Sequence, residues 1–241
     1  LAPVFVKICG LTNAADALMA VAMGADALGF IFAPSVRQIG VEDVSEIVGQ
    51  IPDDVLTVGV FRDESAQHIV DVVAATGLGG VQLHGRESPG EAKWIRARVP
   101  FVVQAFGAGD PRLDRVDDYE VDAVLLDAAV PGSGHTFAWD LVGDLPRRRD
   151  VILAGGLRPE NIVDAIRTVR PWGVDVASGV ESSPGRKDVR RVRRFIALAR
   201  DAATEPTEPV PFDDDVDGFG DPDLGDTDSG ADVVPLFDER R

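Results

Sequence analysis

Eight short apolar runs recur along the chain at intervals of 21 to 29 residues, at positions 4–8, 27–32, 56–61, 80–83, 101–105, 123–126, 151–154 and 174–177. They are near-continuously apolar rather than alternating, as strands buried on both faces must be. Each interval has room for one strand, one helix and two short loops. Helix starts are marked by Asn13 before residues 14–23, by Ser65 before residues 66–75, and by Pro159 opening a helix through Val169. A last helical pattern, residues 189–199, sets its basic side chains on one face. Eight parallel β–α units within residues 1–200 predict an α/β fold, a small (β/α)8 TIM barrel. The rival doubly wound sheet usually places a G-x-G-x-x-G turn after an early strand. The chain has no such turn.

The 241 residues divide unevenly in charge. Residues 201–241 carry 14 Asp and Glu against only Arg240 and Arg241. Such a Pro/Gly-rich acidic stretch cannot bury enough apolar area to offset chain entropy. The expected organisation is a catalytic barrel over residues 1–202 and a disordered tail over 203–241. Deleting residues 204–241 should leave catalysis intact, and a large loss of turnover would put the tail in the folded unit. The formal net charge of −17 argues against nucleic acid, whose phosphates need cations, and against an anionic membrane surface. One cysteine excludes an internal disulfide framework and suits a reducing compartment. No run reaches the ~18 apolar residues of a membrane span. The first residues open directly into a strand without a leader-like segment, so a cytoplasmic protein is expected. Three scattered histidines and one cysteine show no metal-ligand spacing, and no metal is expected.

In such a barrel the active site lies at the C-terminal ends of the strands. Polar or reactive residues there are Cys9 and Thr12, Ser35 and Arg37, Arg62 and Asp63, His84, Gln104, Asp127, Gly155-Gly156, and Ser178-Gly179. Small residues at 155–156 and 178–179 let backbone N–H groups approach an anion, or else form tight left-handed turns. Their joint occurrence after the last two strands favours phosphate. Cys9 can be read as a small buried hydrophobe or as a reactive group at a strand end. Asp127 can be a loop cap, or a carboxyl held against an apolar rim and poised to donate a proton. Arg37 can be a surface arginine or a fork for a planar carboxylate.

Several segments resemble phosphoribosylanthranilate isomerase of tryptophan biosynthesis, in order along residues 3–200. They include Lys7-Ile8-Cys9-Gly10-Leu11-Thr12, Gly24-Ala25-Asp26, Gly29-Phe30-Ile31-Phe32, Val58-Gly59-Val60-Phe61 and Val81-Gln82-Leu83-His84-Gly85. Leu125-Leu126-Asp127, the stretch from Gly155 to Asn161, and residues 175–188 continue the match. The resemblance implies an Amadori rearrangement of a small phosphosugar, N-(5-phosphoribosyl)anthranilate, without metal or organic cofactor. It carries Asp127 over as general acid and Cys9 as general base. Arg37 then holds the anthranilate carboxylate, Asp175 meets ribose hydroxyls, and Gly155, Gly156, Ser178 and Gly179 bind phosphate, with His84 also counted among the substrate-binding residues. Lys7 shares the face of Cys9 one step deeper along the strand, where it could activate the thiol. Two segments depart from the pattern: Ser35-Val36-Arg37 stands where S-P-R is usual, and Phe137-Ala138-Trp139 where F-D-W is usual. The rivals are the ProFAR isomerase family, which ends strand 1 with Asp rather than Cys, and a degenerate barrel that only binds phosphate ligands. Oligomeric state is not readable.

Overall fold

The computed structural model describes residues 3–107, 109–127 and 150–204. Eight strands close into a parallel barrel in sequence order: β1 (Phe5–Ile8), β2 (Ala27–Ile31), β3 (Leu56–Phe61), β4 (Gly80–Leu83), β5 (Phe101–Gly107), β6 (Ala123–Asp127), β7 (Asp150–Ala154) and β8 (Gly173–Val176). The seam is β1 against β8, in a register that sets Lys7 beside Asp175. The expected barrel is therefore present, with each strand within two residues of its predicted bounds. The expected acidic tail lies outside the described residues.

Local chemistry sets the helices α1 (Ala14–Ala22), α2 (Val41–Val48), α3 (Ala66–Thr76), α4 (Pro89–Arg96), α5 (Ile162–Val169) and α6 (Val189–Thr204). Asn13 caps α1 by accepting from the Asp16 N–H at 2.9 Å. Ser88 and Glu91 form a capping box on α4, with Pro89 in its first turn. Residues 159–161 form a turn, so α5 starts after the position predicted from Pro159. A 3₁₀ segment, Pro111–Asp118, follows β5 where a helix is usual. Helix α6 continues to Thr204, so a tail truncation should begin at residue 205.

Strand alternation sorts the side chains into two environments. Ile8, Leu28, Phe30, Phe61, Leu83 and Phe106 pack outward against the helices. Facing inward, Val103, Ala105, Ala123, Leu125, Ile152 and Ala154 form a separate apolar cluster. The other side of the interior is polar, built from the buried Lys7, Gln82 and Asp175. Beyond β8 a 3₁₀ turn, Ser178–Val180, leads into a hairpin of β9 (Glu181–Ser183) and β10 (Arg186–Lys187) over the same end of the barrel. No helix among the described residues is long and apolar enough to cross a membrane.

Candidate active site

Cys9 sits one residue past β1 rather than at its last position, and it is buried. Its sulfur shares a niche with the Lys7 ammonium opposite Gly29. A Cβ built on Gly29 would lie 2.7 Å from Cys9 Sγ and 3.0 Å from Lys7 Nζ. Lys7 Nζ donates to Asp175 Oδ1 at 2.8 Å and to Gln82 Oε1 at 3.0 Å. Gln82 Nε2 lies 2.8 Å from His84 Nδ1, and His84 Nε2 lies 3.7 Å from Asp127 Oδ2. An amide nitrogen only donates, so Nδ1 accepts and the proton of a neutral imidazole sits on Nε2, facing Asp127. The result is a polar chain, Asp175–Lys7–Gln82–His84–Asp127, that runs across the barrel mouth with Cys9 beside its second member.

Electrostatics favour charge on Lys7 and oppose it on Cys9. Burial alone would lower the Lys7 ammonium, but the charges of Asp175 and Cys9, with hydrogen bonds to both, hold it above its ordinary range. Burial pushes the Cys9 thiol up, and Asp175 adds to this, while Lys7 and Lys187 pull the other way without winning. One Asp175 oxygen, Oδ1, is committed to Lys7.

Arg37 is not an unengaged fork. Its Nε and Nη2 donate to the two oxygens of Glu181, each at 2.7 Å. Glu181 also accepts from Lys187 Nζ at 3.0 Å. Burial would raise the Glu181 carboxyl, yet the bonds from Arg37 and Lys187 hold it below its ordinary range. Gly10, in a left-handed turn at φ 72°, lets the Arg37 stem cross it, since a Cβ there would lie 2.6 Å from Arg37 Cδ.

The turns after β7 and β8 interlock. Gly155 and Gly156 have φ of 88° and 65°, a conformation glycine adopts without strain. A Cβ on Gly179 would collide with the Leu157 carbonyl oxygen and lie 3.0 Å from Arg158 Cα. Asn161 braces the same turn, accepting from Arg158 N at 2.8 Å and donating to Gly156 O at 3.1 Å. The leading N–H groups of the Ser178–Val180 turn have no partner within that turn, as at any helical N-terminus.

The structure therefore gathers Cys9, Asp127, Arg37, His84, Asp175 and the two glycine turns at one end of the barrel. Gln104 does not belong with them: it is buried within β5, with Nε2 donating to Leu83 O at 3.2 Å. Arg62 and Asp63 pair with each other at 3.9 Å, and Asp63 N donates to Glu87 Oε1, tying two loops together. The segment with Phe137-Ala138-Trp139 lies outside the described residues. Sequence reasoning missed Glu181, Lys187, Gln82 and Gly29. Gly29 had a readable signal, a glycine inside an apolar strand, which marks close approach of another group. Among the described residues, no cluster of three or more His, Cys, Asp or Glu side chains could hold a metal.

Comparison with known proteins agrees with this geometry. Residues 6–197 match the family described as N-(5'phosphoribosyl)anthranilate (PRA) isomerase. An N-(5'-phosphoribosyl)anthranilate isomerase of Desulforudis audaxviator is 47% identical over 204 residues, covering 82% of this chain and 98% of that one. The crystal structure of phosphoribosyl anthranilate isomerase from Thermotoga maritima superposes with a TM-score of 0.76 at 44% identity, over 82% of this chain and 99% of that one. A phosphoribosyl anthranilate isomerase in complex with reduced 1-(o-carboxyphenylamino)-1-deoxyribulose 5-phosphate gives a TM-score of 0.73 at 41% identity, over 82% and 99% of the two chains. With four-fifths of its length matched at this identity, and Cys9, Asp127 and both glycine turns at one barrel mouth, the chain belongs to the N-(5'-phosphoribosyl)anthranilate isomerase family.

Proposed function

We propose that Asp127 and Cys9 are the general acid and general base with which this chain isomerises N-(5-phosphoribosyl)anthranilate to 1-(2-carboxyphenylamino)-1-deoxyribulose 5-phosphate in tryptophan biosynthesis. The observation that carries the assignment is the polar chain from Lys7, beside Cys9, through Gln82 and His84 to Asp127. It gives the two groups separate electrostatic surroundings at one mouth, as an acid and a base with different tasks require. Asp127 gives its proton to the furanose ring oxygen, and the ring opens to a Schiff base. Cys9 takes the proton from ribose C2, leaving an enolamine that tautomerises to the ketone. The acid ends one proton poorer and the base one richer, so solvent exchange resets both. His84 Nε2 faces the Asp127 carboxyl at 3.7 Å, a polar contact longer than a hydrogen bond. The second oxygen of Asp175 receives ribose hydroxyls, and the N–H groups of Gly155, Gly156, Ser178 and Gly179 receive the phosphate. A phosphosugar substrate and a reduced thiol suit the cytoplasm as its compartment.

The test is the loss of anthranilate fluorescence when the full chain meets phosphoribosylanthranilate generated in situ. Rapid decay is expected. No decay with a folded protein, or decay only with the histidine-pathway substrate, would move the assignment to another phosphosugar barrel. Gly179→Ala forces the turns after β7 and β8 apart, so KM should rise about tenfold or more, the scale of small misplacements in a binding site. Inhibition by inorganic phosphate should weaken in parallel, and unchanged inhibition would remove Gly179 from the phosphate site.

A further inference from the structure

Three buried or half-buried charges beside Cys9 have no part in the proton transfers above: Arg37, Glu181 and Lys187. A guanidinium carries five coplanar N–H donors, arranged so that two of its edges can each grip a carboxylate. Glu181 occupies the side-on edge, with one oxygen on Nε and the other on Nη2 at 2.7 Å. That geometry leaves the end-on edge, formed by Nη1 and the outer N–H of Nη2, as a second complete fork. The Arg37 side chain is 21% exposed and Glu181 only 5%, so solvent and ligand reach the pair from the arginine side.

The brace itself is pinned. Lys187 Nζ donates to Glu181 Oε1 and to Ala177 O, both at 3.0 Å. Lys187 N donates to Asp16 Oδ2 at 2.9 Å, and Thr12 Oγ1 donates to Gly185 O at 2.7 Å. The β9–β10 hairpin is thereby stitched to the loop and helix that follow Cys9. Glu181 is the shared partner of both cations, Arg37 and Lys187.

We propose that Glu181 is a positioning residue for substrate recognition: holding one edge of Arg37, it presents the other as a preformed fork for the aromatic carboxylate of the substrate. This rests on Arg37 as the carboxylate-binding residue. A long side chain that is already ordered loses less freedom on binding than a mobile one. Stability alone is a poor reason to keep these charges, because buried ion pairs can often be replaced by apolar groups without loss. A carboxylate that is the partner of a recognition arginine has a further reason to stay.

The experiment measures calorimetric binding of reduced 1-(o-carboxyphenylamino)-1-deoxyribulose 5-phosphate and of its phenylamino counterpart without the carboxylate. The proteins are the full chain, Glu181→Gln, Glu181→Asp, Arg37→Met and the Glu181→Gln/Arg37→Met double variant. Glu181→Gln should weaken the carboxylated probe about 10- to 100-fold, towards the lower end of what losing a buried charge partner costs, because Glu181 acts through Arg37 and does not touch the probe. The carboxylate-free probe should change less than about twofold, and Glu181→Gln should add nothing once Arg37 is gone. Glu181→Asp keeps the counter-charge for Lys187 but withdraws the oxygens from Arg37. It should show the same discrimination even if the glutamine variant folds poorly. Equal weakening of both probes would make Glu181 a brace of the hairpin only and overturn the proposal. If Arg37→Met leaves the carboxylated probe unaffected, the assignment of Arg37 fails and the proposal falls with it.

Discussion

Replacing Cys9 by alanine should lower turnover at least ~10²-fold with the fold intact, and Asp127→Asn should do the same, at the lower end for general acid–base groups. Cys9 is buried beside Lys7 and Gly29, and an alanine side chain there has no group that can take a proton. Asparagine keeps the shape of Asp127 but cannot release a proton to the ring oxygen. Fluorescence decay with substrate generated in situ reads both variants, and near-normal rates in either would refute its assigned role.

The same thiol sets a pH dependence. Burial raises Cys9, and Lys7 and Lys187 only partly offset it, so the thiolate is a minor species at neutrality. A base that must lose its proton works better as pH rises. The thiolate, read by its ultraviolet absorbance against Cys9→Ala, should therefore grow close to tenfold per pH unit from about pH 6 towards the thiol pKa, which lies above the ordinary ~8.5; kcat/KM climbs less steeply, because Asp127 must keep its proton to act as the acid. In Cys9→Ala this alkaline rise should vanish. A thiolate signal that levels off below the ordinary thiol range would show that the two lysines, not burial, set the state of Cys9.

What could be read from the chain divides along physical lines. The strands are legible to within two residues because both of their faces are buried, so short runs such as residues 123–126 stand out whatever surrounds them. The C-terminal-face rule then names Cys9, His84 and Asp127 without any structure. It misplaces Gln104, which lies within β5, three residues before the strand ends at Gly107. Pairings are another matter. Lys7 and Asp175 are 168 residues apart and become register neighbours only when β8 closes on β1. Arg37 and Glu181 are 144 residues apart, and nothing local in either loop announces the other. Residue types at strand ends carry the chemistry, but the partners that tune them come from closure of the barrel.

That distinction makes Lys7 the sharpest test of how the site is tuned. Lys7→Met should cost about 3–5 kcal/mol of stability, because it leaves Asp175 buried without its counter-charge. It should also remove the cation nearest the thiol, so the thiolate titration shifts to higher pH and the rate at neutrality falls. The two effects separate in the double variant Lys7→Met/Asp175→Asn. Neutralising Asp175 removes the unpaired charge and should restore most of the stability in urea unfolding. It cannot return a cation to Cys9; losing the Asp175 charge relieves part of the rise in the thiol, but Lys7 is the larger influence, so part of the displacement should persist. Recovery of both together would mean that Lys7 serves the fold alone. Recovery of stability without the pH profile would identify the ammonium as the group that makes a buried thiol usable as a base.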